Sequence, residues 1–303
     1  MLDVKEFVDV DGALNQKGKG SVDQGGVDTD EVARFGGEME SALAISEDEP
    51  SLREALSGSE HEAWRDAIEA ELTQMEKVAT WVPVIPPPDA NIILSLFVFR
   101  RKRNDTGSIV WYKARLVVKG YKQQFGVDYM DTFAPTVHAP TLRILLSFAA
   151  QNGATIHQCD IKNTYLNSRL KDNIILYSEL PPKYESFRQL PPDLKDEPKV
   201  VSKWFVSVYG LKQGAHDWYA KVKKFFTDHG YSVSSANEAV FYKIKDKDFI
   251  IVAAATDDFT IITNSQDTTN FLIHTELTRC FEVSNLGPIN CRLSRGRARE
   301  PWP

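Results

Sequence analysis

The chain has 303 residues, 42% of them hydrophobic and 11% aromatic, which is enough apolar material to bury a sizeable core. Its formal net charge is −6, but residues 1–60 hold 15 acidic and 5 basic side chains. Residues 61–303 therefore hold 27 acidic and 31 basic side chains, a balance of +4. The three cysteines lack zinc-site or disulfide spacing, and no apolar run approaches the roughly 20 residues of a membrane span. We expect an intracellular, cytoplasmic protein without a membrane segment.

The first predicted element is a helix that follows an acidic segment. Residues 1–56 are rich in Asp, Gly and Ser without a regular apolar period, which predicts disorder. Ser59 and Glu62 have the spacing of a capping box and predict that the helix begins there. Apolar residues then recur at helical intervals, at Trp64, Ala67, Ile68, Leu72, Met75 and Ala79. Prolines at 83 and 86–88 end this helix.

The elements that follow mix helices with antiparallel strands. Residues 92–103 and 109–119 predict two strands joined by a turn at 104–107. A helix over 142–151 leads into a strand that ends at Asp160. Further strands are predicted at 203–209, 239–245, 249–256 and 259–263, and further helices at 217–228 and about 267–281. This pattern indicates an α+β fold.

Three aspartates stand at predicted strand ends. Asp257 and Asp258 separate the apolar runs 249–256 and 259–262, and Asp160 ends another strand. Adjacent acids in a hairpin turn are more often ordinary turn residues. The alternative is a site for hard divalent cations, because carboxylates at the ends of neighbouring strands suit metal-assisted phosphoryl transfer. The spacing alone leaves both interpretations open.

The predicted hairpin is strongly basic. Residues 97–125 contain eight Lys or Arg side chains and one acid, Asp105. Lys113 and Arg115 alternate along the second strand, so both face the same side. This side is either a solvated strand surface or a surface that follows a nucleic-acid backbone. The interleaved aromatic residues supply either stacking or core surface: Phe97, Phe99, Trp111, Tyr112 and Tyr121.

Several motifs occur in a fixed order before Asp257-Asp258. They are YKARLVVKG at 112–120, DTFAP at 131–135, QCDIKNTYLN at 158–167 and YGLKQ at 209–213. Together they resemble the reverse transcriptase of copia-type long-terminal-repeat retrotransposons, over about residues 64–288. The resemblance implies an RNA-directed DNA polymerase with a fingers–palm core, an antiparallel palm sheet and most of the thumb missing. It also implies a location in the virus-like particle of the parent element.

The resemblance assigns roles to the acidic residues. It implies that Asp160 and Asp257 coordinate two Mg²⁺ ions, with Asp258 as a weaker or supporting ligand, and that Mn²⁺ can replace Mg²⁺. One ion would activate the primer 3′-hydroxyl and the other would neutralise the leaving pyrophosphate.

The resemblance also assigns the substrate contacts. It implies that Lys113 and Arg115 bind the triphosphate of a dNTP, and that Gln213 packs near the nucleotide sugar and the template. Tyr165 would lie beneath the sugar and exclude a 2′-hydroxyl, although an ordinary core tyrosine is an equal alternative on the residues alone. The partners would be an RNA or DNA template with its primer. The oligomeric state is left open.

Some residues depart from the family pattern. Ala255-Thr256 precede the aspartate pair where the family has an aromatic and a small apolar residue, and Leu94 and Leu96 replace an expected glycine and lysine. We expect three segments: an acidic one at 1–56, fingers and palm at 57–290, and a divergent basic tail at 291–303. Without a thumb or ribonuclease H, the chain resembles a fragment of a Pol polyprotein. The alternative is an inactive transposon relic that at most binds nucleic acid.

Overall fold

A computed structural model of the protein describes residues 48–289. The helices are α1 (Leu52–Ser57), α2 (His61–Lys77), α3 (Ala139–Gln151), α4 (Gly214–Asp228) and α5 (Gln266–Phe271), the last continued by a π-helical segment, Leu272–Leu277, and a final turn, Thr278–Cys280. The strands are β1 (Trp81–Val84), β2 (Ile92–Ile93), β3 (Ser95–Arg103), β4 (Ile109–Val118), β5 (Thr155–Ile161), β6 (Leu176–Glu179), β7 (Val201–Trp204), β8 (Ser232–Val233), β9 (Val240–Lys245), β10 (Asp248–Ala255), β11 (Asp258–Thr263) and β12 (Val283–Pro288). No helix in this range is long and apolar enough to span a bilayer.

The described chain forms two compact units, each with its own sheet. The six-stranded unit comprises residues 135–163 and 222–289, and the four-stranded unit comprises residues 48–134 and 164–221. The predicted mixture of helices and antiparallel strands is confirmed, apart from one short parallel pair between β2 and β6. The tail at 291–303 and most of the acidic segment lie outside the described residues.

The six-stranded unit is built around a sheet with strand order β12-β5-β11-β10-β9-β8. Residues 249–254 of the central strand β10 are all buried, since both faces of the strand are covered. On one face, Leu145 and Phe148 of α3 pack against residues of β9, β10 and β11. On the other face, Phe226 of α4 stacks on Phe241, with ring centroids 4.6 Å apart. The sheet is therefore held rigidly from both sides.

The four-stranded unit contains a sheet of order β1-β7-β6-β2 and the separate β3–β4 hairpin. Helix α2 packs on the hairpin through a buried stripe at helical spacing: Trp64, Ile68, Leu72 and Met75. The hairpin turn at 104–107 forms as predicted, with Gly107 at φ +83°, a conformation that glycine adopts without strain.

The start of α2 differs from our expectation. The helix begins at His61 with Glu60 as its N-cap, and no side chain caps it. The capping box forms earlier, where Ser51 and Glu54 bond each other's backbone N–H groups at the start of α1. Residues 52–57 are thus helical, although we expected the segment up to residue 56 to be disordered. Burial of Ala55 in the core supplies the packing that the sequence pattern does not reveal.

The remaining differences concern boundaries and short strands. Helix α3 begins at Ala139, because Pro140 is tolerated in a first helical turn. The predicted strand at 203–209 is shorter and lies at Val201–Trp204. Strands β1 and β12, which were not predicted, contain Pro83 and Pro288 and lie at sheet edges, where proline is accepted.

The aromatic packing in the six-stranded unit gives a stability prediction. We expect Phe226→Ala to lower the free energy of unfolding by about 3–5 kcal/mol, because the side chain is fully buried and leaves a cavity. The matched control is Phe271→Ala, since Phe271 is 54% exposed and should change stability by less than about 0.5 kcal/mol. Urea denaturation followed by circular dichroism measures both, and equal losses would contradict the packing described.

Candidate active site

Two of the three predicted aspartates lie directly opposite each other in the six-stranded sheet. Strands β5 and β11 pair antiparallel, with Asp160 opposite Asp258. The N–H of Ile161 donates to the carbonyl of Asp257 at 2.8 Å. The adjacent pair, Asp160 and Asp258, therefore occupies a non-hydrogen-bonded position of the ladder. The Cα atoms at such positions are about 4.5 Å apart and the side chains project from the same face. The fold therefore brings Asp160 and Asp258 together across 98 residues of sequence.

Asp257 lies in the tight turn between β10 and β11. Only Thr256 and Asp257 separate the paired ends of the hairpin, Ala255 and Asp258. Thr256 has φ +55°, a left-handed conformation that is unfavourable for a β-branched residue. Strain of this kind costs about 1–3 kcal/mol and is concentrated at functional sites. Ala255 and Thr256 stand where the family has an aromatic and a small apolar residue, and the two strands still pair as a hairpin around them.

The electrostatics of this sheet end are those of crowded acids. Burial raises the pKa of the Asp258 carboxyl, and the negative charges of Asp257 and Asp160 raise it further. The neighbouring thiol of Cys159 has a pKa raised to about 12 by burial, with smaller contributions from Asp160 and Asp258. Cys159 therefore stays protonated at neutral pH and is not a thiolate nucleophile.

The donor chemistry of the aspartates fits a magnesium ion. Between residues 48 and 289, no three His, Cys, Asp or Glu side chains converge into a cluster that could hold a metal. Magnesium usually takes one or two carboxylates and completes its shell with water and substrate phosphate oxygens. Asp160 and Asp258 provide two such carboxylates on one face, with Asp257 in the adjoining turn. The arrangement fits an ion that shares its ligands with a substrate and does not fit an all-protein cage.

The four-stranded unit carries the other predicted site residues, and Tyr209 links two of them. The guanidinium of Arg115 lies over the Tyr209 ring, 4.5 Å from its centroid. The ring of Tyr165 meets the same ring edge-on at 5.0 Å. Arg115 and Tyr165 are thus fixed against one aromatic ring. Tyr209 opens the YGLKQ motif, but its supporting position could not be inferred from sequence spacing.

Lys113 lies two residues before Arg115 on the same side of β4. Its ammonium group lies 5.9 Å from the ring centroid of Trp111. The alternation of β4 that was predicted for Lys113 and Arg115 is present in the β3–β4 register.

Gln213 is buried in a network of amides. Its side-chain oxygen accepts a hydrogen bond from Gln123 at 2.9 Å, and its nitrogen donates to the carbonyl of Asp128 at 3.0 Å. The side-chain oxygen of Gln123 also accepts from the backbone N–H of Lys212 at 2.8 Å. Both ends of the Gln213 amide are therefore engaged within the protein. This geometry gives Gln213 a role in holding the YGLKQ loop, whereas its predicted nucleotide contact stays a prediction.

Two glycines bring the motif segments into direct backbone contact. A Cβ atom on Gly120 would lie 2.1 Å from the carbonyl oxygen of Gly210, and one on Gly210 would lie 2.1 Å from that of Val118. Gly210 also has φ +88°, which favours glycine. The N–H of Val118 donates to the carbonyl of Tyr209 at 2.9 Å, so the YGLKQ loop docks on the end of β4.

The basic residues of the hairpin separate into two groups. Arg101 donates to Glu60 at 2.9 Å and Arg103 donates to Asp48 at 2.8 Å, so both are paired with acids of the same unit. Tyr112 also donates to Glu60, at 2.6 Å. The register instead gives the opposite face of the hairpin four basic residues: Arg100, Lys102, Lys113 and Arg115.

Glu71 is a partly buried acid that our sequence analysis missed. It accepts the backbone N–H of Leu116 at 3.1 Å, on the edge of β4 that β3 does not cover. Burial raises its pKa, while that hydrogen bond and the charges of Arg115 and Lys113 lower it in part. Glu71 lies on α2 beside the apolar positions of that helix, and the sequence does not indicate that it would bind a backbone N–H of β4. The contact caps an exposed strand edge next to the two cationic residues.

Comparison with known proteins identifies the class to which this arrangement belongs. Residues 78–295 match the family described as reverse transcriptase (RNA-dependent DNA polymerase), and the chain belongs to that family.

The relatives of the chain are polyproteins of transposons. A retrovirus-related Pol polyprotein from transposon RE1 of Arabidopsis thaliana is 33% identical over 227 residues, covering 74% of this chain and 15% of the polyprotein. The corresponding polyprotein from transposon TNT 1-94 of Nicotiana tabacum is 31% identical over 261 residues, covering 85% and 19%. A transposon Ty1-ER2 Gag-Pol polyprotein of Saccharomyces cerevisiae is 30% identical over 178 residues, covering 55% and 9%. The chain spans less than a fifth of the length of these relatives, and the predicted resemblance to copia-type elements is confirmed.

The paired acids predict a pH-dependent stability. Because the pKa of Asp258 is raised in the folded state, its ionisation above that pKa destabilises the fold. We expect Asp258→Asn to raise the thermal midpoint at pH 7.5, and the difference to shrink as the pH is lowered towards about 4, because protonation removes the charge of the wild-type carboxyl.

Asp248→Asn serves as the control, since Asp248 lies at the other end of the same hairpin, opposite Lys245. Differential scanning calorimetry of the three proteins across this pH range measures the effect. An unchanged or lowered midpoint for Asp258→Asn at pH 7.5 would contradict the destabilisation that we assign to burial of the charged carboxyl beside Asp257 and Asp160.

Proposed function

We propose that this chain contributes the fingers and palm of an RNA-directed DNA polymerase that extends a nucleic-acid primer on an RNA or DNA template. The observation that carries the proposal is the pairing of Asp160 with Asp258, beside Asp257, on adjacent strands of an antiparallel sheet. The six-stranded sheet corresponds to the palm in this proposal, and the β3–β4 hairpin to the fingers. Family membership supports the same reaction.

The aspartates would bind the catalytic magnesium ions. When bound, the two ions would supply Lewis-acid activation of the primer 3′-hydroxyl and neutralisation of the leaving pyrophosphate. Asp160 and Asp257 would ligate both ions and Asp258 would support them, because all three offer hard oxygen donors at one sheet end. Burial and, after it, the charges of Asp257 and Asp160 raise the pKa of Asp258, and a bound cation would offset that repulsion. Mn²⁺ has the same ligand preference and would substitute.

The four-stranded unit would supply the contacts to the incoming dNTP. Lys113 and Arg115 carry positive charge on one face of β4, which would neutralise the triphosphate. The Tyr209 ring would keep Arg115 and Tyr165 in fixed positions, because it contacts both. Tyr165 would then present a rigid ring to the sugar, as exclusion of a 2′-hydroxyl requires.

Primer extension on poly(rA)/oligo(dT) with Mg²⁺ tests the proposal. We expect incorporation by the wild-type chain and a loss of at least about 100-fold in Asp257→Asn and Asp160→Asn, since even residues behind metal ligands contribute 10–100-fold. Asp248→Asn is the matched control and should retain activity, because Asp248 lies at the opposite end of the hairpin.

The outcome also separates an enzyme from a relic. If no incorporation occurs across a range of metal ions and ionic strengths while nucleic acid still binds, the chain is an inactive relic that binds nucleic acid. If the Asp257→Asn variant retains wild-type activity, the metal-site assignment is wrong.

Sugar selection gives a second prediction. Tyr165→Val should reduce the preference for dTTP over UTP by roughly tenfold to a hundredfold, because the ring that contacts the sugar is removed. Tyr165→Phe keeps the ring and should keep the preference. Steady-state incorporation of each nucleotide measures the ratio, and an unchanged ratio in an active Tyr165→Val protein would refute the assigned role.

A further inference from the structure

The outer face of the β3–β4 hairpin carries a continuous set of cations and ends in a tryptophan. Cross-strand pairs place Lys102 opposite Trp111, Arg100 opposite Lys113, and Val98 opposite Arg115. All these side chains lie on the face that points away from the core, because the alternate residues Phe97, Phe99 and Ala114 are buried, with Arg101 and Tyr112 partly buried. The order along the face is therefore Trp111 with Lys102 near the hairpin turn, and Arg115 towards the other end.

Trp111 contributes little to the core. It is 60% exposed, whereas Phe97 and Phe99 of the same hairpin are buried and Tyr112 packs edge-on against Trp64 at 4.8 Å. The hairpin aromatics thus separate into core residues and one ring that faces solvent. A single exposed apolar residue is common on protein surfaces, so the inference depends on what surrounds the indole.

The surroundings of the indole match a nucleotide. The ammonium groups of Lys102 and Lys113 lie over the ring, 5.8 and 5.9 Å from its centroid, and a stacking base would take their place there. A nucleotide combines a flat π-face with a neighbouring phosphate, so it would place its base on the ring and its phosphate beside the lysines. Bases within a duplex have both faces covered by their neighbours. The matching ligand is therefore an unpaired base in a single strand.

This site adjoins the proposed dNTP contacts and shares Lys113 with them. Trp111 and Arg115 are four residues apart on one strand, which corresponds to about 13 Å. A triphosphate at Arg115 and a base at Trp111 are therefore different ligands. Four cations on this face complement the phosphates of a strand and would repel a basic protein partner.

We propose that Trp111, flanked by Lys102 and Lys113, is a stacking site for an unpaired base of single-stranded nucleic acid. Identification of that strand as the unpaired template ahead of the primer rests on the proposed polymerase function. The site accepts RNA and DNA and any base, because stacking uses the π-face that all bases share.

Binding measurements without dNTPs or metal test this site. Fluorescence anisotropy compares a primer–template that has a single-stranded 5′ template overhang with the blunt duplex. Trp111→Ala should weaken overhang binding by about fivefold or more and blunt-duplex binding by less than about twofold. Trp111→Phe keeps a π-face and should stay within about threefold of the wild type. Val110→Ala is the control, since Val110 is an exposed neighbour that carries no ring.

An abasic overhang separates stacking from charge. It keeps the phosphates but lacks bases, so the wild type should bind it about as weakly as Trp111→Ala binds the normal overhang. Direct contact is read from 2-aminopurine in the overhang, whose fluorescence the wild type should quench and Trp111→Ala should not. This second readout remains valid if the substitution changes stability.

Two results would overturn the stacking site. One is equal affinity of wild type and Trp111→Ala for the overhang, with 2-aminopurine quenching unchanged. The other is that sedimentation shows self-association of the wild type, and that Trp111→Ala abolishes this self-association without changing overhang binding. The Trp111 ring would then be a contact between two copies of the protein. Primer extension is measured separately. If the wild type extends primers but its affinity for the overhang does not depend on Trp111, only the stacking site is refuted. If the wild type does not extend primers but its affinity for the overhang depends on Trp111, only the polymerase function is refuted.

Discussion

The antiparallel pairing of β5 with β11 is the constraint on which the rest depends. It places two like-charged carboxylates opposite each other, an arrangement that is destabilising by itself. The sheet tolerates it because β10 and β11 are buried on both faces and cannot change register without exposing their apolar residues. The strained turn at Thr256 is held by the same two strands. Packing thus maintains a local arrangement of charge and backbone that is unfavourable without a ligand.

Sequence reasoning succeeded where a strong local pattern coincided with a family motif. The apolar runs around Asp257 and Asp258 predicted the hairpin to within a residue, and the turn at 104–107 was equally clear. The class of the protein followed from the order of its motifs. Motif order links segments that are far apart in the sequence, whereas hydrophobic periodicity reports only local secondary structure. The juxtaposition of Asp160 with Asp258 could be expected only through that resemblance.

The misses have physical causes. Glu71 lies on α2 and Glu60 is the N-cap of that helix, and their roles depend on which strand atoms lie opposite them in three dimensions. The predicted nucleotide contact of Gln213 stays a prediction, and what the motif could not disclose is that its amide also engages Gln123 and Asp128. The short edge strands β1 and β12 contain proline and lack alternation, so tertiary pairing alone defines them.

The separation of the hairpin arginines has a consequence for counterion release. Eight basic residues between 97 and 125 suggest a slope of log affinity against log salt of about −7, if each neutralised one phosphate of a duplex. Arg101 and Arg103 already have carboxylate partners, and the outer face holds four basic residues. The hairpin alone would then give a slope of about −4. A count of basic residues along the sequence therefore overstates the number of ions that this element displaces from a nucleic acid.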